Sequence, residues 1–179
     1  LYQSYDGIVW IASKFGLIRY DRKSGNAKLL QPQPSSSYIT TNDFSTTIIE
    51  IDGLLWVGTV AGILACFDPE KEIFKLFKND PNNVNSISPT SPLGIISIFK
   101  DRSGILWVGT SDFGLNKWDK YKIKFHSYKY NLDNKKILGN SLVTSMCEDR
   151  DGKIWLGTYG GGLSKFDREK KLFVSFKRE

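Results

Sequence analysis

The sequence predicts an all-β fold of β-propeller blades, four four-stranded antiparallel sheets, and three observations carry that prediction. One motif is written four times: DGIVWIASKFGLIRYD at 6–21, DGLLWVGTVAGILACFD at 52–68, DRSGILWVGTSDFGLNKWD at 101–119 and DGKIWLGTYGGGLSKFD at 151–167. Its tryptophans, Trp10, Trp56, Trp107 and Trp155, lie 46, 51 and 48 residues apart, a period that suits one four-stranded blade. The stretches between them alternate or are β-branched, and none sustains the 3.6-residue apolar spacing of a helix.

Each part of the motif has a physical role in such a blade. A glycine three residues before each tryptophan (Gly7, Gly53, Gly104, Gly152) marks a hairpin turn that needs positive φ. The tryptophan strands, IVWIA, LLWVG, ILWVG and KIWLG, read apolar almost continuously. That pattern belongs to a sheet covered on both faces. Each tryptophan should fill the space between adjacent blades, with Ala12, Gly58, Gly109 and Gly157 permitting close approach two residues on. A second glycine (Gly16, Gly62, Gly114, Gly162) leads into the third strand, which an aromatic–Asp pair closes: Tyr20–Asp21, Phe67–Asp68, Trp118–Asp119 and Phe166–Asp167. The aromatic is expected to pack on the next blade and the Asp to fold onto backbone amides in the turn.

Taken in order, blade 1 spans 1–37, from the tail of a first strand at Leu1–Tyr5 to about Leu30, followed by the irregular connection QPQPSSSY. Blade 2 spans 38–86, its strands running from about Asn42 to Asn79 before the linker DPNNVNSIS. Blade 3, 87–138, opens less regularly on SPTSPLGIISIFKD and extends through an aromatic strand, Lys124–Tyr130. NLDNKKILGNS leads into blade 4, 139–179, where the strands read Leu142–Glu148, Lys153–Thr158, Leu163–Asp167 and Leu172–Lys177. Turns EDRDG and REKK and the loop Tyr159–Gly162 separate them. The four blades form a partial propeller, or a ring that is small or completed by an oligomer. An open arc would leave two apolar blade faces exposed, a surface that tends to associate.

Composition sets the outer bounds. With 40% hydrophobic and 13% aromatic residues the chain is globular. The formal charge of +6 is compatible with an anionic partner, yet the lysines are spread over all four repeats. A solvated surface is favoured over a nucleic-acid site. Cys66 and Cys147 occupy different repeat positions, which argues for buried free thiols over a disulfide framework or metal set. No apolar run approaches the ~20 residues that span a bilayer. The chain opens within its first repeat with no initiator Met and no signal peptide, as a piece cut from a longer protein would.

Catalytic signatures are weak. TYGGGL is glycine-rich but precedes no helix, so the phosphate-loop mechanism is missing. DRDG lacks the later bidentate Glu of a calcium loop, and DRSGILW resembles the structural Asp-box turns of sialidase-like propellers. His126, the only histidine, lies in an outer strand with no nucleophile placed beside it. Most acids sit at repeat-equivalent turns, and Asp112 alone stands out as blade-specific, one candidate where glycoside chemistry needs a pair. No catalytic residue, metal or cofactor is expected. The loops between second and third strands, SKFG, VAG, SDFG and YGGG, diverge most while their flanks stay constant. They should gather at one mouth of the propeller, which makes Lys14, Phe15, Asp112, Phe113 and Tyr159 the candidate ligand-binding residues. Flat aromatic faces with a few polar groups suit a sugar ring; packing of these aromatics on the next blade is the alternative.

The motif DGKIWLGTYGGGLSKFD, with SLVTSMCED before it and the DPNNVNSIS linker, resembles the two-component regulator propeller repeat. The resemblance is near complete in blade 4, strong in blades 2 and 3, and weaker in blade 1, where Ile-Ala-Ser replaces Val-Gly-Thr. Blade 3 also inserts a residue before Gly104. It implies the periplasmic sensor region of an inner-membrane hybrid two-component system, with further blades, downstream sensor domains and a histidine kinase for phosphorelay elsewhere in the parent. The implied ligand is a glycan-derived oligosaccharide, and the implied partners are the other blades and the downstream sensor domains; the spread of the lysines argues against nucleic acid, and the open arc makes a homo-oligomer one of the expected arrangements. A carbohydrate-active propeller enzyme and a protein-interaction platform are the alternatives.

Overall fold

The computed structural model describes residues 1–32, 45–89, 93–121, 124–128 and 142–176, and every regular element in them is a strand. The first sheet holds β1 (Tyr2–Gln3), β2 (Ile8–Ser13), β3 (Gly16–Asp21) and β4 (Ala27–Leu30). The second holds β5 (Ser45–Ile51), β6 (Leu54–Thr59), β7 (Leu64–Asp68) and β8 (Ile73–Phe77). The third holds β9 (Ile95–Lys100), β10 (Leu106–Thr110), β11 (Leu115–Asp119) and β12 (Lys124–Tyr128). The fourth holds β13 (Val143–Glu148), β14 (Ile154–Thr158), β15 (Gly162–Asp167) and β16 (Leu172–Phe176). Each sheet pairs its strands in chain order, antiparallel throughout, so each is one up-and-down blade. The expected strand bounds differ from the observed ones by a residue or two. Expectations on 33–44, 129–141 and Lys177, including most of QPQPSSSY and NLDNKKILGNS, lie outside the described residues.

The hairpins follow the glycine prediction. Gly53 has φ +79° and Asp52 beside it +53°, two left-handed residues that turn β5 into β6 with the twist a hairpin needs. The closing aspartates fold back as expected. Asp68 Oδ1 accepts the amides of Glu70 and Lys71 at 3.0 and 3.1 Å, and Asp167 Oδ1 those of Glu169 and Lys170 at 3.0 Å.

First strands β1, β5, β9 and β13 contact one another in series, so they line the inside of an arc. Three apolar clusters fill the junctions. One joins Trp10, Leu17 and Leu30 of blade 1 to Leu55, Val57, Ala65 and Phe67 of blade 2. The next joins Trp56 and Leu64 to Leu106, Val108 and Trp118. The last joins Trp107 and Leu115 to Ile154, Leu156 and Phe166. Among the described residues no such cluster joins blade 4 to blade 1.

Strand register corrects one expectation. Trp56 is opposite Cys66, whereas Phe67 is opposite Leu55. Side chains alternate faces along a strand, so tryptophan and closing aromatic of one blade point to opposite sides. The tryptophan faces the next blade and the closing aromatic faces the preceding one. Trp10 meets Phe67 at 5.8 Å between ring centroids, Trp56 meets Trp118 at 6.3 Å and Trp107 meets Phe166 at 5.7 Å. Every junction is thus one tryptophan against one closing aromatic, reaching backward along the chain.

A second correction concerns the thiols. Cys66 is buried, and loss of hydration pushes its pKa up to about 11. Cys147 is exposed. It occupies the position that Ile49 and Phe99 hold opposite Trp56 and Trp107, on the face of blade 4 turned away from blade 3.

Close approach at the conserved glycine position is measurable. A Cβ on Gly58 would stand 2.6 Å from Ile95 Cγ2 of the next blade and 2.9 Å from Thr47 Cγ2. Gly58→Ala is therefore expected to destabilise the chain by about 1–3 kcal/mol through overpacking. Urea unfolding measures it, and an unchanged midpoint would show that β6 and β9 can separate freely.

Candidate functional site

The loops between the second and third strands are pinned by a hydroxyl that sequence reasoning overlooked, although it recurs three residues after every tryptophan. Ser13 Oγ donates to Gly16 O at 2.9 Å and accepts from Phe15 N at 3.2 Å. Thr59 Oγ1 accepts from Ile63 N at 3.1 Å, Thr110 Oγ1 donates to Gly114 O at 3.1 Å, and Thr158 Oγ1 donates to Gly162 O at 3.0 Å. A uniform base under each loop frees the two or three residues at its tip to vary. These tips share an end of the arc with the starts of the first strands. Ser111 N donates to Gly94 O at 3.0 Å, and Tyr159 N donates to Leu142 O at 3.1 Å.

The five sequence-predicted residues stand on three blades at that end. Phe15 and Tyr159 are 53% and 73% exposed, far above the interior aromatics. Lys14 Nζ lies over the Phe15 ring, 4.7 Å from its centroid. Gln31 Nε2 donates to Phe15 O at 2.6 Å, tying this loop to the end of β4. Asp112 is exposed and its Oδ2 accepts from Ser111 Oγ at 2.8 Å, while the half-buried Phe113 donates its amide to Thr110 Oγ1 at 3.3 Å. The structure thus places Lys14 with Phe15, and Asp112 with Phe113, each pair within one loop; Tyr159 stands on blade 4. What this end offers is two exposed rings on separate blades, Phe15 with Lys14 over it and Tyr159, and an exposed carboxylate, Asp112, on blade 3.

A groove of 730 Å³ was not anticipated. It lies between the linker residues Asn79–Pro89 and Phe125, His126 and Ser127 of β12. Its wall is shaped by asparagine and serine side chains: Asn79 Nδ2 donates to Ile87 O at 2.9 Å, and Asp80 N donates to Ser86 Oγ at 3.0 Å. Beneath it the buried Asn116 Oδ1 accepts from Ser88 N, Ser88 Oγ and Ser127 Oγ at 3.0, 2.9 and 2.8 Å. The Asn-rich composition of the linker was the available signal. His126 is exposed on the outermost strand.

The opposite end carries the charged chemistry of the molecule. Asp101 is 2% exposed and anchors its own turn: Oδ1 accepts from Ser103 N at 3.0 Å and Ile105 N at 2.9 Å. Its Oδ2 accepts from Trp107 Nε1 at 2.7 Å and from Arg168 of blade 4 at 2.5 Å. Arg168 also donates to Glu148 Oε1 at 2.8 Å, and Glu148 Oε2 pairs with Arg102 at 3.1 Å. Burial alone would raise the Asp101 pKa. The hydrogen bonds from Trp107, Ser103 and Ile105, with the Arg168 charge, outweigh it and hold the carboxyl below its usual value. Asp149 repeats the turn in blade 4, accepting Trp155 Nε1 at 2.7 Å. These acids are therefore committed to turns and junctions. Among the described residues no group of three His, Cys, Asp or Glu side chains could hold a metal ion.

The two component regulator propeller family model matches the chain twice, at residues 89–112 and 137–160. No curated protein matches it. Solved structures resemble it over almost its whole length. The extracellular domain of the hybrid two component system BT3049 from B. thetaiotaomicron superposes with a TM-score of 0.80 at 23% identity, covering 99% of this chain and 24% of that one. That of BT4673 from the same organism gives 0.70 at 22%, covering 98% and 21%. Virginiamycin B lyase from Staphylococcus aureus gives 0.67 at 15%, covering 99% and 54%. This chain therefore spans a quarter or less of the two extracellular domains it resembles. It is a set of propeller blades, two stretches of which match the two component regulator propeller model.

Proposed function

We propose that these blades belong to the periplasmic sensor region of a hybrid two-component system, and that their variable loop tips bind a glycan-derived oligosaccharide. The observation that carries this reading is the family match on residues 89–112 and 137–160, whose first stretch ends on the loop holding Asp112 and whose second holds Tyr159. Catalysis is no part of it, since the charged residues at the opposite end are engaged in turns and blade junctions. The ligand would change the state of a downstream histidine kinase by binding one arrangement of the sensor more tightly than another, and only by that difference in affinity.

Calorimetric titration of an oligosaccharide panel against the wild type and Tyr159→Ala or Phe113→Ala tests the site. Loss of a stacking ring is expected to weaken binding about tenfold, the scale of 1–2 kcal/mol for an aromatic contact. Unchanged affinity in both variants would remove these loops from the site and direct attention to the Asn79–Pro89 groove. The likeness to virginiamycin B lyase concerns the fold, and degradation of any ligand during the titration would favour an enzyme instead.

A further inference from the structure

The groove between the linker Asn79–Pro89 and β12 lies well inside the chain, at the junction of blades 2 and 3, and the fold does not account for the side chain beneath it. Asn116 is 0% exposed. It is opposite Val108, at the position that Ile18, Ala65 and Ser164 hold in the other blades. A blade therefore builds well there with an aliphatic group or one hydroxyl, and blade 3 alone buries a carboxamide. The orientation of that amide is fixed. Its Oδ1 takes three hydrogen bonds, one of them from the backbone N–H of Ser88, which can only donate. Turning the amide over would set its NH2 against that N–H. Nδ2 is thus the end left over, and among the described residues it has no hydrogen-bond partner. An unmade hydrogen bond at a buried donor is costly, and native interiors seldom keep one without a reason.

The groove above it specifies what would complete it. Ser88 Oγ and Ser127 Oγ both spend their hydrogens on Asn116 Oδ1, so each has only acceptor capacity left, and Ser127 is exposed. On the linker side Asn85 engages its backbone: its N–H donates to Asn83 Oδ1 at 3.0 Å and its C=O accepts from Phe125 N at 2.8 Å. Among the described residues that leaves the exposed Asn85 carboxamide, and the Asn83 NH2, for an outside partner. No lysine or arginine lines the groove, and its one carboxylate, Asp80, accepts the Asn82 amide within its own turn. Pro81 and the 93% exposed Val84 add apolar surface. An anionic ligand thus lacks a strong cation here. A peptide strand has too little to pair with, since Phe125 N is taken and, of the described β12 residues, only Ser127 also turns its backbone away from β11. Closely spaced donors and acceptors on an uncharged wall are met by groups that each donate and accept, which is what neighbouring hydroxyls do.

We infer that this groove binds a neutral polyhydroxylated ligand, a sugar ring or an open-chain polyol. Its hydroxyls bond the Asn83 and Asn85 carboxamides and Ser127 Oγ, and one oxygen, entering beside Ser127, accepts from Asn116 Nδ2. The groove volume of 730 Å³ falls within the range of about 300–1,000 Å³ for small-molecule sites. The site shares no residue with the loop tips and stands whether or not they bind a ligand.

Proton–nitrogen NMR on the labelled 179-residue chain reads the site directly, because the Asn116 NH2 gives its own pair of signals, assigned by their loss in Asn116→Asp. Maltose, cellobiose and sorbitol are titrated, with tetraglycine as the peptide comparison. The Asn116 and Asn85 side-chain signals are expected to move with at least one of the three polyols. A response to the disaccharides alone marks a sugar ring as the ligand, and a response to sorbitol as well marks any polyol. Asn85→Ala changes an exposed side chain that the fold does not need, and should weaken the binding about three- to tenfold, as loss of one or two hydrogen bonds does. Asn116→Ser repeats the Ser164–Ser175 pair of blade 4 and should weaken it by a similar factor. Silence of both asparagine signals toward all three polyols, movement with tetraglycine instead, or unchanged affinity in both variants would each overturn the inference. Movement confined to Phe113 and Tyr159 would overturn it while supporting the loop tips as the site; movement at Asn116 with none at those loops would support it and count against them.

Discussion

Trp107→Ala is expected to lower the unfolding free energy by about 3–5 kcal/mol, the range for deleting a buried large aromatic. Trp107 is 1% exposed, packs edge-on against Phe166 at 5.7 Å and lies 6.2 Å from Tyr128. The substitution opens a cavity at the junction of blades 3 and 4 and also removes the indole N–H from the buried Asp101 carboxylate, leaving it with one partner fewer where water is excluded. Urea unfolding followed by fluorescence of the other tryptophans gives the measurement. A loss below about 1 kcal/mol would mean that the blades close over the gap, which the tight packing of this junction does not predict.

Asp101→Asn should cost about 2–3 kcal/mol at neutral pH. That is below the ~3–5 kcal/mol of a fully buried pair, because Arg168 can turn to water once its partner is neutral. Its side chain is 25% exposed against 0% for Asp101. The pH dependence identifies the cause. Asp101 has a folded pKa held below its unfolded value. Its ionised form therefore adds stability above the unfolded pKa of about 3.9, and that contribution is lost as pH falls through the folded value. The gap between wild type and variant should be full at pH 7 and shrink progressively below about pH 4. A gap that stays constant down to pH 3 would show that the asparagine disturbs packing rather than charge. Lowered carboxyls with no partner in common with Asp101, such as Asp167 at about 2, titrate in both proteins and cancel in the difference.

What the sequence makes legible here is what repeats. Four copies of one motif fix the strand order, the hairpin glycines and the closing aspartates, because each depends on neighbours within about twenty positions. What it hides depends on register or on partners far along the chain. The direction in which Phe67 or Phe166 points follows from its being opposite the residue beside the tryptophan, a one-residue matter that the motif alone leaves open. Arg168 and Asp101 are 67 positions apart, and only the stacking of blades brings them together. Cys147 reads as a core thiol by composition and is exposed because its strand register turns it to the side of blade 4 away from blade 3. The candidate loop residues were visible as departures from a repeating frame, whereas the linker groove owes its shape to side chains folding onto their own backbone.

The back-to-front arrangement of tryptophan and closing aromatic gives the stack a polarity, like bricks with a stud on one side and a socket on the other. Apolar fit is nearly the same at every joint, so by itself it would accept the blades in any sequence. The turn charges do not. Exchanging blades 2 and 4 would set Pro69, which follows Asp68 as Arg168 follows Asp167, over Asp101, a buried carboxylate left without its cation, while Arg168 would face Ser4, which opens the first hairpin turn as Asp101 opens the third. The Arg168–Asp101 pair therefore carries information that the aromatic studs lack: it matches blade 4 to blade 3 in charge as well as in shape.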